Sequence, residues 1–231
     1  MDRRFLLSLA PAVAVLALAR RARSAESGLL AVDVLLEPDD ALADRARALN
    51  ARLRASERNG FPLDETHVPH LSLVQQFVRR EDVGRLGELI AKVLEASPAP
   101  MQIEVTGIDL APWNRATMVS LAVERNAVLS RLQAALITSL IPFVAPAGDA
   151  NAFVRDAPDS QIDTTTIDYV SSFLLKHAGD SYQPHVTVGL ASKAAAQALK
   201  AEPFERRSYG VSRAAVYQLG NAGTARRRLW P

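Results

Sequence analysis

Two short stretches of this 231-residue chain repeat one pattern: Pro69-His70-Leu71-Ser72-Leu73 and Pro184-His185-Val186-Thr187-Val188. Each runs Pro, His, apolar, small hydroxyl, apolar. A period of two is the signature of a strand, so His and hydroxyl share one face while Leu71, Leu73, Val186 and Val188 point to the other. The chain holds four histidines, and two of them sit in this repeated setting. The two copies lie 115 residues apart. A chain with one such strand in each half reads as two similar lobes whose sheets meet, with His70 and His185 facing each other across the junction.

The elements around the motifs agree with that reading. Gly28 to Leu36 is a buried strand, and Asp39 or Asp40 caps a helix whose apolar positions Leu42, Ala46, Leu49 and Leu53 recur at helical spacing. The first motif strand runs on toward Phe77. A second helix carries Val83, Leu86, Leu89, Ile90 and Val93 and stops at Ser97-Pro98. Strands follow at Met101 to Leu110 and Thr117 to Val123, with Ala111 to Asn114 as the hairpin turn. The second half begins with a helix capped by Asn126. Residues 142–163, rich in Pro, Ala, Asp and Gly, read as an insertion or loose loop. A helix over Thr164 to His177, the second motif strand, a helix capped by Ser192 and a last strand over Tyr209 to Leu219 complete the series, and Thr224 to Pro231 reads as a tail.

Composition narrows the chemistry. There is no cysteine, which removes disulfides, thiolate nucleophiles and thiolate metal sites. Catalysis is left to His, carboxylates and hydroxyls, or to a metal held by nitrogen and oxygen. Residues 1–24 read as a signal peptide: Arg3-Arg4 precede an apolar run from Phe5 to Ala19, shorter than a bilayer span. The arginine pair fits either a twin-arginine or a general secretion signal, cleavage fits after Ala19 or Ser24, and an uncleaved anchor is the alternative. The whole chain is net +2, but the first 24 residues hold five Arg and one Asp, so the remainder is net −2. The basic pI therefore belongs to the leader. A nucleic-acid duplex, which needs many phosphate contacts, is a poor partner for such a surface. A small anion held by a local site is not.

Two imidazoles are suited to paired acid–base work, one accepting a proton while the other donates one. With Ser72 and Thr187 holding the non-bridging oxygens, the four side chains fit a tetrahedral phosphate, and the scheme needs no metal. His67 sits on a loop without a matching His–carboxylate cluster, and His177 lies at a helix end, where a histidine complements the dipole. Tyr182, near the second motif, is a candidate for stacking on a nucleobase, and Trp113 a weaker one. Arg226-Arg227-Arg228 reads as a solvated tail.

The paired motifs resemble the two signature motifs of the two-histidine phosphoesterase superfamily, which includes 2′-5′ RNA ligases and cyclic phosphodiesterases. The resemblance implies an α+β, bilobal, duplicated fold with two antiparallel sheets lining a central cleft and helices outside. It implies His70 and His185 as the acid–base pair, Ser72 and Thr187 as phosphate ligands, and no cofactor or metal. The near-symmetry of the motifs leaves open which histidine is acid and which base, although His185 as base is the first choice. The expected activity is metal-independent hydrolysis of 2′,3′-cyclic phosphates on nucleotides or short RNA ends, by an exported monomer. The alternatives are a non-catalytic module binding a phosphorylated ligand and a phosphoesterase acting on a non-nucleotide diester.

Overall fold

Alternating burial defines seven strands, and apolar stripes define five α-helices, among the residues described in a computed structural model: 28–56, 60–97, 101–157 and 160–231. The leader expected over residues 1–24 lies outside them. The strands are β1 (Leu29–Pro38), β2 (Leu71–Arg79), β3 (Gln102–Trp113), β4 (Ala116–Val123), β5 (His185–Ala191), β6 (Arg207–Leu219) and β7 (Ala225–Trp230). The helices are α1 (Asp40–Ser56), α2 (Val83–Glu95), α3 (Ala127–Leu140), α4 (Thr164–Lys176) and α5 (Lys193–Lys200). Side-chain caps start three of them where the sequence places them: Asp39 accepts from Leu42 N–H, Asn126 from Leu129 N–H and Ser192 from Ala195 N–H. Among the described residues no helix is long and apolar enough to cross a membrane.

All pairings are antiparallel, and the strand order is β1-β2-β5-β4-β3-β6-β7, with β1 also pairing β6. The thirteen-residue β6 serves both halves: its start, Arg207 to Gly210, pairs β3, and its continuation pairs β1 and β7. One half is thus β2-β1-β6-β7 and the other β5-β4-β3-β6. At the opposite edge they touch through a single pair, Leu71 with Val186. The expected α+β class and the two antiparallel halves are present, joined into one hydrogen-bonded sheet.

Leu71, Leu73, Val186 and Val188 are fully buried in the main core with the apolar stripes of α1, α2, α3 and α5. The other face of the sheet forms the cleft. There α4 packs Val170 against a smaller cluster of Ala31, Phe77, Phe153 and Leu219. The described residues of segment 142–163 contribute to this cluster and are tied to the strands: Ala145 N–H donates to Phe77 O, Val154 N–H to Leu219 O, and Gln218 Nε2 to Ala152 O. Two boundaries differ from expectation. The β3–β4 turn is Asn114-Arg115, with Asn114 at φ 51°, and the tail is strand β7. Arg228 there joins Glu37 and Tyr217, and Arg227 pairs Asp156. A run of arginines hid the strand, because its partners Glu37 and Tyr217 are distant in sequence.

Each motif strand bulges at the same place. Ser72 pairs Leu35 and Val74 pairs Val34, leaving Leu73 as the extra residue; Thr187 pairs Ser120 and Gly189 pairs Val119, leaving Val188 as the extra residue. Gly189 follows its bulge at φ +147°, and a Cβ there would lie 2.9 Å from Asn50 Nδ2. The buried Asn50 amide holds this region together, donating to Val188 O (2.8 Å) and Phe61 O (3.0 Å) and accepting from Leu63 N–H (2.9 Å). It links α1 to the second motif and to the loop before the first. Asn50→Ala leaves these backbone groups without partners and lowers unfolding free energy by on the order of 3 kcal/mol, measurable by urea denaturation.

Candidate active site

The single Leu71–Val186 pair sets the site. Both side chains point into the core, so the residues flanking them point together into the cleft. An antiparallel register through that pair brings His70 across from Thr187 and Ser72 across from His185. All four line one cavity of about 390 Å³, whose walls include Gln75, Trp113, Ser120, Tyr169 and Gln183. Among the described residues that line it there is no Lys or Arg, and Asp109 is an added acidic group.

The two imidazoles are held alike. His70 Nδ1 lies 2.7 Å from Val68 O, and His185 Nδ1 lies 2.8 Å from Gln183 O. In each case the carbonyl belongs to the residue before the motif proline, which is restricted to extended backbone. A carbonyl accepts only, so Nδ1 carries the hydrogen and the neutral ring leaves Nε2 as its basic atom. The proline thus has a local reason: it presents the carbonyl that fixes the tautomer.

The surroundings then differ. The His70 side chain is 11% exposed and its Nε2 lies 3.6 Å from Asp33 Oδ2. Burial pushes the His70 imidazole down to about 4; the nearby His185 acts the same way, while the Val68 carbonyl and Glu37 oppose it. Asp33, on β1, is fully buried, and sequence reasoning missed it because one Asp inside an apolar strand carries no motif. Its register partner is Gln75, which the β2 bulge brings to the same face as Ser72. Asp33 Oδ2 accepts from Ser72 Oγ at 2.5 Å and from Gln75 Nε2 at 2.9 Å, while Oδ1 is buried without a partner among the described residues. Gln75 Nε2 also donates to Ser72 Oγ at 3.1 Å. The second half has no such carboxylate: Thr187 Oγ1 lies 3.5 Å from Ser120 Oγ.

Tyr182 is a correction. It is 4% exposed, sits in the main core and donates its hydroxyl to Ser72 O at 2.9 Å; it borders the small pocket beside His185 but leaves almost no ring surface for stacking on a base. Burial pushes its phenol well above the usual range. The cleft aromatics are Trp113 and Tyr169, edge to face at 6.2 Å, and His177, stacked on Tyr169 at 4.2 Å. His177 caps α4 as expected and also lines the adjoining pocket with Ser72 and His185. Burial first, and the charges of Lys176 and His185 next, push its imidazole down. His67 is buried, with Nδ1 near Thr66 Oγ1 and Asp64. Among the described residues no three His, Asp or Glu side chains converge as metal ligands would.

The model of the 2′-5′ RNA ligase superfamily matches residues 38–219. The chain belongs to that superfamily of two-histidine phosphoesterases and ligases, and the match spans both motifs. No curated protein matches it in sequence. Solved structures similar to it include E. coli LigT complexed with ATP, at 15% identity and TM-score 0.45, and E. coli LigT complexed with phosphate, at 16% and 0.44. Each pairing covers 87% of this chain and 95% of the other. A structure described as a phosphoesterase is similar at 16% identity and TM-score 0.43, with the same coverage.

Burial pushes the Asp33 carboxyl up to about 7, against the lowering effect of its bonds from Ser72 and Gln75. Between the ordinary carboxyl range and that value the folded protein keeps a proton that the unfolded chain has released. Folding stability from this group is therefore present at low pH and lost as pH rises to 7 and beyond. Asp33→Asn removes the loss, so the variant gains on wild type progressively between pH 4 and pH 8, by roughly 4 kcal/mol in all. Urea unfolding at the two pH values measures the difference; a pH-independent offset would contradict the shift.

Proposed function

We propose that this protein is a metal-independent phosphodiesterase that hydrolyses 2′,3′-cyclic phosphates of nucleotides or short RNA ends, with His70 and His185 as its acid–base pair. The observation that carries this reading is the convergence of two histidines in one cavity, each with Nδ1 engaged by a backbone carbonyl and Nε2 left for chemistry. A cyclic diester carries one negative charge, which suits a cavity with no Lys or Arg among its described lining residues. A polynucleotide backbone does not suit it.

His70 is the base in this scheme, the reverse of the assignment first drawn from sequence. Burial keeps its imidazole neutral at physiological pH, so Nε2 is ready to take a proton. A water molecule attacks phosphorus and gives its proton to His70 Nε2. The bond from phosphorus to one ribose oxygen breaks, and protonated His185 gives its proton to that oxygen. The product is a phosphomonoester, and the two histidines have exchanged protonation states. Trp113 and Tyr169 form an aromatic wall for the base, where stacking contributes about 1–3 kcal/mol. The Trp113 indole N–H is buried with no hydrogen-bond partner among the described residues. Export by the N-terminal leader belongs to the same reading and favours small extracytoplasmic nucleotides as substrates.

A panel of cyclic phosphodiesters tested in excess EDTA checks the proposal. Expected are turnover of 2′,3′-cyclic nucleotides, a bell-shaped dependence of kcat/KM on pH, and losses of at least about 10³-fold in His70→Ala and His185→Ala. Saturable binding without product would instead mark a non-catalytic module, and near-normal turnover in either variant would remove that histidine from the mechanism.

A further inference from the structure

The Ser72 hydroxyl has one hydrogen, and it is already used. Oγ donates to Asp33 Oδ2 at 2.5 Å and accepts from Gln75 Nε2 at 3.1 Å. In that state Ser72 offers an incoming phosphate lone pairs only, and an ionised Asp33 stands behind it adding repulsion. Thr187, the matching hydroxyl, has no carboxylate beside it in its contact with Ser120. The symmetric motifs therefore sit in unlike electrostatic settings, and one half as drawn opposes anion binding.

We propose that Asp33 is a positioning carboxyl of this site, and that the site holds a phosphate-like anion only while Asp33 carries a proton. With the proton on Oδ2, Asp33 donates to Ser72 Oγ. Ser72 then turns its own O–H toward the anion, still accepting from Gln75, and every hydrogen in the chain Asp33–Ser72–anion is used once. His70 Nε2, 3.6 Å from Oδ2, stays free to act as base. Binding an anion thus takes up one proton whenever Asp33 is ionised beforehand. The inference rests on reading the cleft as a phosphate site and adds to it a third proton-bearing group.

The geometry around Asp33 supports a neutral state. Its Oδ1 is buried with no partner among the described residues, a cost that falls when the carboxyl is uncharged. It faces His70, just before β2, and Ser72 and Gln75 on β2, and on β6 its register partner is Tyr217. Tyr169 on α4 and Tyr182 in the loop before β5 have phenols raised first by burial and next by the Asp33 charge. Glu37, farther along β1, acts on His70 but is engaged by Arg213 and Arg228. Burial raises the carboxyl to about 7, so the switch falls within the working range.

The test uses sulfate, a tetrahedral anion whose charge is constant over this range, with binding followed by NMR of the histidine rings in wild type and Asp33→Asn. Asparagine keeps the shape and supplies an N–H donor without a charge. The two proteins are expected to bind alike at pH 6, with wild type weakening relative to the variant by about tenfold for each pH unit above 7. Parallel pH dependences would overturn the proposal, as would weaker binding by Asp33→Asn throughout, the mark of a merely structural carboxylate. Should the variant not fold, calorimetry on His185→Ala in buffers of different ionisation enthalpy decides: uptake of close to one proton on sulfate binding at pH 8 is expected, and zero uptake overturns the proposal. If wild type shows no saturable sulfate binding even at pH 6, the phosphate-site reading fails and this inference with it. Binding without proton linkage defeats the inference alone.

Discussion

Everything about the cleft depends on the place where two half-sheets meet edge to edge through Leu71 and Val186. Those side chains are anchored in the core and leave their flanking residues no choice but the opposite face. A slip of one residue at that contact would bury the histidines and expose the apolar positions. The large apolar area on the helix side, shared with α1, α2, α3 and α5, opposes such a slip. The core thus enforces the register, and the register assembles the site. Only one pair bonds across the junction, and beyond it the strands separate, which leaves room for a cavity where a longer ladder would close it.

Two local devices refine what the register begins. The motif proline keeps the preceding residue extended, so that its carbonyl engages the histidine Nδ1 in both halves. The bulge after each hydroxyl residue then resets the alternation. On β2 this turns Gln75 toward Ser72 and Asp33, building the polar cluster that makes the first half unlike the second. Duplication supplies a symmetric frame, and buried substituents on β1 and α4 break the symmetry. Burial lowers the His70 imidazole, so the two matching motifs hold their histidines in unlike surroundings.

The polar environment follows the same economy. The cavity is walled by hydroxyls, amides and aromatic rings, with no Lys or Arg among its described lining residues. Two arginines of the C-terminal stretch, which in sequence read as a solvated tail, are engaged: Arg228 with Glu37 and Tyr217, Arg227 with Asp156. They tie β7 to Glu37 on β1, Tyr217 on β6 and Asp156 in the segment after α3.

Much of this was legible in the chain itself. The period-two repeats disclosed the strands and named His70, Ser72, His185 and Thr187, because alternation assigns a face without knowledge of the partner strand. The caps at Asp39, Asn126 and Ser192 were readable for a similar reason, since each acts on a backbone group three residues away. Asp33, Gln75 and Tyr169 were not readable, Trp113 was named only as the weaker stacking candidate, and Tyr182 was misread as a base platform. Each of these depends on a contact between residues far apart in sequence: Asp33 meets Ser72 across β1 and β2, and Tyr182 reaches the Ser72 carbonyl from 110 positions away. Sequence by itself determined which His and hydroxyl side chains share one face of their strands. Tertiary structure alone decided which of two like histidines is desolvated, because burial is a property of everything packed around a group, and a local pattern contains only its neighbours along the chain.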